Sequence, residues 1–136
     1  MSSTTENTED TERFPEKEIT DAVLAAAITV HKELGPGLLE SVYERCLGFE
    51  LAERGYKVAL QSEVPLIYRG LHFDSAFRAD LIVEDRVLVE LKAVDLVLPI
   101  HQAQVITYLK LTKLRTALLI NFNVPLLKQG IKRIVL

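Results

Sequence analysis

The sequence predicts a single mixed α+β domain in which helices pack on a mixed β-sheet. Two helical patterns come first, three or four strand-like segments follow, and a further helix and strand complete the order. This order of elements is typical of an α/β or α+β domain. The chain has 136 residues, of which 49% are hydrophobic and 26% charged, so it has the size of one domain rather than two.

Two helices are predicted near the start of the chain. Apolar residues recur at helical spacing over residues 16–33, and the following Leu34-Gly35-Pro36-Gly37 ends that helix. A second helix is expected over residues 40–54, where Gly55 is a natural stop. Residues 1–15 are rich in Ser, Thr and Glu and offer little to bury. We therefore expect a disordered acidic tail at 1–15 and one folded domain at 16–136.

The strands follow the second helix. Residues 58–68 are strand-like, and Pro65 within them predicts an edge strand or a bulge. A turn at residues 69–70 and a segment at 71–77 lead into the apolar run that begins at residue 78. A third helix is predicted over residues 100–112. A short apolar strand at 117–122 and an edge strand at 131–135 complete the sheet.

Residues 78–92 contain the charged residues on which the functional prediction depends. Two apolar runs flank the charged residues 84–86, which is typical of adjacent strands joined by a tight turn. Asp80 interrupts the first run, and Glu90 and Lys92 interrupt the second with side chains on one face. A three-residue connection sets Asp80 opposite Glu90. A two-residue turn puts the two carboxylates on opposite faces unless a bulge corrects it.

Two acids and a lysine on one apolar sheet are costly to bury unless they pair or hold a metal. Mg²⁺ or a similar hard cation such as Mn²⁺ prefers oxygen ligands. A metal there would polarise a phosphoryl oxygen and lower the pKa of a bound water, while Lys92 orients that water or stabilises negative charge. Taken alone, the pattern favours an ordinary cross-strand ion pair on a solvated face.

Two helical segments add further polar residues. Glu40 lies in the first turn of the second helix, and Tyr43 follows on the same face. Glu40 would complement the helix dipole in any case, and Tyr43 has a simple alternative role in the core. Gln104 and Tyr108 are four residues apart on the third helix, so both can reach one patch as a polar rim. The alternative there is an amphipathic helix with a half-buried tyrosine.

The sequence resembles a known family. Gly37-x-x-Glu40-x-x-Tyr43 looks like the motif that names the GxxExxY protein family, whose members are placed in the PD-(D/E)XK nuclease superfamily. The resemblance covers about residues 17–136 and extends to the segments Glu33-Leu34-Gly35-Pro36-Gly37, Arg78-Ala79-Asp80-Leu81, Val89-Glu90-Leu91-Lys92-Ala93-Val94, Gln104-Val105-Ile106-Thr107-Tyr108-Leu109-Lys110 and Leu119-Ile120-Asn121-Phe122-Asn123-Val124-Pro125.

The resemblance implies a restriction-endonuclease-like α-β-β-β-α-β core. By it, Asp80 takes the place of the first acid, Glu90 the second acid and Lys92 the lysine. Glu40 matches a helix glutamate that often joins the metal site. The chain departs from the pattern at Ala79, where a proline commonly precedes the first acid.

The leading hypothesis is a nuclease that depends on Mg²⁺ or Mn²⁺ and hydrolyses phosphodiester bonds of DNA or RNA, with DNA favoured. The metal ligands would be Glu40, Asp80, Glu90 and the Leu91 carbonyl, with Lys92 acting on the water. Substrate contacts or support would come from Gln104, Tyr108 and Tyr43. The alternative is a catalytically inactive module of the same fold that binds nucleic acid or protein, or that is active only with a partner.

Charge and composition bear on partners and location. Residues 19–136 carry 13 acids and 14 bases, so long-range attraction to nucleic acid is weak. The apolar segments at 94–100 and 118–127 exceed what a small core needs, which makes a homodimer a further expectation. The lone Cys46 is typical of a reducing compartment. No apolar run has transmembrane length and the start is unlike a signal peptide, so we expect a cytoplasmic protein.

Overall fold

A computed structural model describes residues 15–136, so the predicted tail, apart from Pro15, lies outside the described residues. The described part contains three α-helices, five strands and one short 3₁₀ helix at Leu127–Gly130 that the sequence did not predict. The helices are α1 (Lys17–Leu34), α2 (Glu40–Glu53) and α3 (Pro99–Thr112), and the strands are β1 (Val58–Tyr68), β2 (Leu71–Val83), β3 (Val87–Lys92), β4 (Thr116–Asn121) and β5 (Ile131–Val135).

The five strands form one mixed sheet in the order β1-β2-β3-β4-β5. Strands β3 and β4 are parallel, and the other neighbouring pairs are antiparallel. A parallel pair needs a crossover connection, and α3 lies in the connection between β3 and β4. The predicted mixed α+β architecture with a restriction-endonuclease-like order of elements is therefore confirmed.

Two buried clusters lie on the two faces of this sheet. Side chains alternate along β3, so that Val89 packs with α1 and α2 while Leu88 packs with α3. The larger cluster includes Val23, Ala26, Tyr43, Leu47, Leu51, Leu81, Leu118, Ile120 and Phe122. The smaller one includes Ala79, Val105, Leu109, Ala117 and Leu119. Because both faces are covered, β3 and β4 are almost entirely buried, and eight of their twelve residues are apolar.

The hairpin of β1 and β2 extends beyond the rest of the sheet. Strand β2 pairs with β1 from Leu71 to Val83, but with β3 only from Leu81 to Val83. The remainder of the hairpin is a two-stranded ladder in which most side chains are exposed and Val64 and Ala79 are buried. The register of β1 shifts between Val64 and Leu66, which confirms the irregularity predicted from Pro65 in an edge strand.

The segment after β3 is fastened to β4 by one buried amide. Asn121 is buried, and its Nδ2 donates to the Val94 carbonyl at 2.8 Å while its Oδ1 accepts from the Val94 N–H at 3.1 Å. Gly130 passes so close that an added Cβ would lie 2.1 Å from the Asn121 carbonyl oxygen, a distance that only glycine permits. None of the helices within residues 15–136 is long and apolar enough to span a membrane.

Candidate active site

The connection between β2 and β3 decides where the acidic residues lie. Val83 pairs with Val87 and Leu81 pairs with Val89, so three residues form the turn. Glu84 and Asp85 adopt left-handed backbone there, and the Arg86 N–H closes the turn on the Val83 carbonyl at 3.0 Å. This is the three-residue connection considered in the sequence analysis, and it brings Asp80 beside Glu90.

At Asp80 the two carboxylates replace the backbone ladder. The Leu91 N–H donates to Asp80 Oδ2 at 2.9 Å, and the Asp80 N–H donates to a Glu90 Oε1 at 3.2 Å. The last regular pair is Leu81 with Val89, so beyond it each strand uses an acidic side chain of the other as its acceptor. Asp80 and Glu90 are therefore held together by the backbone itself, at the point where the strands separate.

The alternation of β2 side chains also changes at Asp80. Phe77 and Ala79 pack on the α3 face, whereas Leu81 and Val83 pack on the face of α1 and α2. A regular strand would place all four on one face. The change coincides with a gap in the β1–β2 ladder, where Gln61 and Asp80 are skipped between regular pairs. Asp80 thus lies at a local distortion rather than within a regular strand.

Burial gives Glu90 unusual electrostatics. Its exposed fraction is 7%, and desolvation together with the nearby Asp80 charge raises the pKa of the Glu90 carboxyl to about 8. The Asp80 backbone N–H and the positive charge of Lys92 act in the opposite direction on this pKa. A nearby cation therefore stabilises the ionised form of this buried pair more than it stabilises exposed acids. The half-buried Lys92, two residues along β3 on the same face, supplies one positive charge.

Two further polar residues, absent from the sequence hypothesis, reach Asp80. Gln61 Nε2 lies 3.3 Å from Asp80 Oδ1 and 2.6 Å from Glu44 Oε1 on α2. Burial and the charges of Asp80 and Glu40 raise the pKa of Glu44. A sequence signal for Glu44 existed, because it lies one turn after Glu40 on the same helix face. Glu40 itself is exposed at the start of α2.

Tyr43 lies in the core rather than at the acids. Its ring stacks on Phe122 with the ring centres 4.5 Å apart. The Tyr43 hydroxyl donates to the Gly35 carbonyl at 2.6 Å and accepts from the Leu38 N–H at 3.0 Å. These bonds shape the turn from which α2 begins, so Tyr43 helps to place the first turns of α2. Its predicted role in substrate contact or support stays a prediction.

The helix α3 contributes an aromatic residue near the acids. Tyr108 is half-buried and stacks on Phe77, with ring centres 3.8 Å apart and nearly parallel planes. Burial, followed by the charges of Glu90 and Asp80, raises the pKa of the Tyr108 hydroxyl. Gln104 is exposed one turn earlier on α3. The structure therefore brings Tyr108 into the electrostatic field of the acids and leaves Gln104 at the solvent side.

The donor atoms at this site fit a hard divalent cation. Within residues 15–136, no three side chains of His, Cys, Asp or Glu already form a metal-binding group. Mg²⁺ is commonly held by only one or two carboxylates, together with waters and substrate phosphates. Asp80 and Glu90 supply two carboxylates. The Leu91 carbonyl faces the same strand edge as the Leu91 N–H that bonds Asp80, so a neutral oxygen ligand is available beside them.

A family model matches most of the chain. A family model described as the PD-(D/E)XK nuclease superfamily matches residues 17–134, nearly the whole of the described chain. No curated protein and no solved structure matches the chain.

Proposed function

The chain belongs to the PD-(D/E)XK nuclease superfamily, and on this premise we propose that it is a metal-dependent nuclease that hydrolyses phosphodiester bonds. The observation that carries the proposal is a pair of hydrogen bonds at the end of the β2–β3 ladder, in which the Asp80 N–H donates to the Glu90 carboxylate and the Leu91 N–H donates to the Asp80 carboxylate. Lys92 follows on the same strand face, so two acids and one lysine converge. Within the superfamily, we also propose that the chain is a GxxExxY protein, from Gly37, Glu40 and Tyr43.

The proposed metal ligands are the carboxylates of Asp80 and Glu90 and the carbonyl of Leu91. Nucleases of this superfamily generally use divalent metal ions, and we propose Mg²⁺, with Mn²⁺ as a substitute. When bound, such an ion polarises a phosphoryl oxygen and makes a bound water more acidic. The protein contributes a fixed arrangement, because the strand backbone holds both carboxylates before any ion arrives. The sequence hypothesis also counts Glu40 as a metal ligand; it is exposed at the start of α2, and that role stays a prediction.

The proposed role of Lys92 is to orient the attacking water or to stabilise the negative charge that develops on the phosphate. The Lys92 charge acts on Glu90, and an ammonium group near the two carboxylates is suited to this role because it can stabilise charge as it develops. The residues proposed to contact substrate are Tyr108, which offers a hydroxyl, and Gln104, which offers an amide at the solvent side. Both lie on α3, so they would contact substrate from the same side of the site.

The proposed substrate is nucleic acid, with DNA favoured over RNA. We also propose a homodimer, because the connection before α3 and the first turn of α3 expose large apolar side chains, namely Leu96, Leu98 and Ile100. Sedimentation at micromolar concentration tests the homodimer proposal, and a result that shows only monomer would contradict it.

A cleavage assay tests the nuclease proposal. Plasmid, linear duplex and single-stranded DNA, and RNA, are incubated with the protein in Mg²⁺, Mn²⁺ or EDTA, with Lys92→Met in parallel. We expect metal-dependent cleavage that Lys92→Met lowers by about 100-fold or more. Lys110→Met is the matched control, since Lys110 is an exposed lysine on α3. Full activity of Lys92→Met, or no cleavage by folded protein in any metal, would contradict the proposal, and the second result would favour the inactive binding module.

A further inference from the structure

Gln61 occupies an unusual position in β1, directly opposite Asp80. The β1–β2 ladder pairs Leu60 with Leu81 and Ser62 with Ala79, and it skips the two residues between them. Gln61 has φ of 52°, which is left-handed backbone that glutamine rarely adopts. Strained backbone of this kind persists only where the surroundings impose it, and it is concentrated at functional sites. Regular strand pairing does not account for the left-handed backbone at Gln61.

The side chain of Gln61 provides that explanation through two contacts. Its Nε2 donates to Glu44 Oε1 at 2.6 Å and to Asp80 Oδ1 at 3.3 Å. A primary amide nitrogen has two hydrogens, and an ionised carboxylate only accepts. The amide is therefore oriented with its nitrogen toward both acids, and one hydrogen is available for each. With the Leu91 N–H on Oδ2, each oxygen of Asp80 has a donor from the protein.

We propose that Gln61 is a positioning residue of the metal site, holding the Asp80 carboxylate by a hydrogen-bonded bridge to Glu44 on α2. This inference rests on the proposed function. A carboxylate has about four acceptor positions, so the bonds from Gln61 and Leu91 do not fill the Asp80 carboxylate, which also lies within hydrogen-bond reach of the Glu44 and Glu90 side chains. The bridge restricts rotation of the carboxylate and connects α2 to β2. Glu44 acts in this account as an acceptor for Gln61 and not as a ligand.

The left-handed backbone makes a clean test possible. Glycine adopts this conformation at no steric cost, so Gln61→Gly removes the amide without forcing the strand to rearrange. Lys113 is a matched control because it also has left-handed backbone, with φ of 63°, and lies exposed at the end of α3. Lys113→Gly makes the same backbone change away from the acids. A role of Gln61 in backbone shape alone would give both variants the same phenotype.

Two substitutions of Glu44 separate its hydrogen bond from its charge. Glu44→Gln keeps a carbonyl oxygen that can accept from Gln61 Nε2, but it removes the negative charge. Glu44→Ala removes both. If Glu44 acts through Gln61, the glutamine variant retains the metal affinity of the wild type and the alanine variant binds metal more weakly. The double variant Gln61→Gly/Glu44→Ala should then bind metal no more weakly than Gln61→Gly alone, because both changes break one bridge.

Calorimetric titration with Mn²⁺, with thermal unfolding of each variant in EDTA, measures these effects. We expect Gln61→Gly and Glu44→Ala to weaken Mn²⁺ binding about tenfold, as is typical when a group that orients a metal ligand is removed. Lys113→Gly and Glu44→Gln should bind Mn²⁺ within about twofold of the wild type. Gln61→Gly should unfold at or near the wild-type temperature, so the loss of affinity is not a loss of fold.

The outcomes distinguish this inference from the proposed function. Wild-type affinity in Gln61→Gly, in a protein that binds Mn²⁺ through Asp80, overturns the bridge and leaves the nuclease proposal standing. Equal losses in Glu44→Gln and Glu44→Ala also overturn it, because Glu44 would then act by its charge. A wild-type protein that binds no Mn²⁺ contradicts both proposals together.

Discussion

The two ends of strand β2 are built in opposite ways. Its last three residues, Leu81 to Val83, pair with β1 on one side and β3 on the other, and Leu81 is fully buried. Its first residues pair with β1 only, and their side chains are exposed, with Leu71 exposed by 60%. One end of the strand belongs to the core, whereas the other belongs to a hairpin that extends from it.

Asp80 lies at the boundary between these two ends, and the difference explains its position. Where β2 has two neighbouring strands, the backbone groups pair with each other and leave no donor for a side chain. Where β3 separates from β2, the Leu91 and Asp80 N–H groups lose backbone partners and the carboxylates take their place. A polar site can therefore form beside the core without opening it, since the acids satisfy groups that would otherwise be unpaired.

The largest effect is expected from truncating the buried end of the strand. Leu81→Ala should lower the free energy of unfolding by about 2–5 kcal/mol, because it leaves a cavity among fully buried side chains. Leu71→Ala at the exposed end of the same strand should cost about 0.5 kcal/mol or less. Urea denaturation of both variants measures the difference. Equal costs would contradict the comparison and would show that another surface, such as a second copy, covers the hairpin.

The pH dependence of stability tests the electrostatics at the boundary. The pKa of Glu90 is about 8 in the folded protein, against an ordinary value of 4.5. Between these values the folded state keeps a proton that the unfolded state releases, so the free energy of unfolding falls as pH rises. In EDTA we expect this stabilisation to be complete below about pH 4.5 and lost through about pH 8, by a few kcal/mol.

Glu90→Gln should flatten this part of the pH profile, because the amide carries no titrating proton. Urea denaturation at pH 5 and pH 8.5 measures the change for both proteins. Added Mg²⁺ should restore the stability of the wild type at the higher pH and should have less effect on the variant. Parallel profiles for the two proteins in EDTA would contradict the assignment of this proton to Glu90.

The smallest effect concerns one backbone amide. Asp80→Ala removes the acceptor of the Leu91 N–H, whereas the amide of Val89 keeps its place in the regular ladder. Native-state hydrogen exchange by NMR should show exchange at Leu91 accelerated about tenfold or more, since bonds to charged acceptors are worth about 1.5–3 kcal/mol. The change at Val89 should be no larger than the variant's overall loss of stability. Unchanged protection at Leu91 would show that the amide has another acceptor.

Most of the fold was accessible from the sequence because the signals were local. Glycines marked the ends of α1 and α2, and the charged residues at 84–86 marked the turn that aligns Asp80 with Glu90. The register itself stayed open, because periodicity alone does not distinguish a two-residue turn from a three-residue turn. The backbone of Glu84 and Asp85, which both adopt left-handed conformations, settles the choice in favour of three.

The parts of the site that sequence missed depend on tertiary contacts. Gln61 carries no motif, and its importance appears only when the β1–β2 ladder skips it and α2 brings Glu44 within reach. Tyr43 is the opposite case, because it belongs to a motif that suggested a role near substrate, yet it lies in the core. Its ring is buried on Phe122 and its hydroxyl is used by the turn before α2. A motif residue can therefore act by placing a helix instead of by contacting ligand.

A crystal structure of the protein grown in Mn²⁺ tests the central claim most directly. The anomalous signal of manganese locates the ion without assuming its ligands. We expect one strong peak within coordination distance of the Asp80 and Glu90 carboxylates and the Leu91 carbonyl, and no such peak in crystals of Asp80→Ala. A peak elsewhere on the protein, or none at Asp80 and Glu90 when these residues are well ordered, would contradict it.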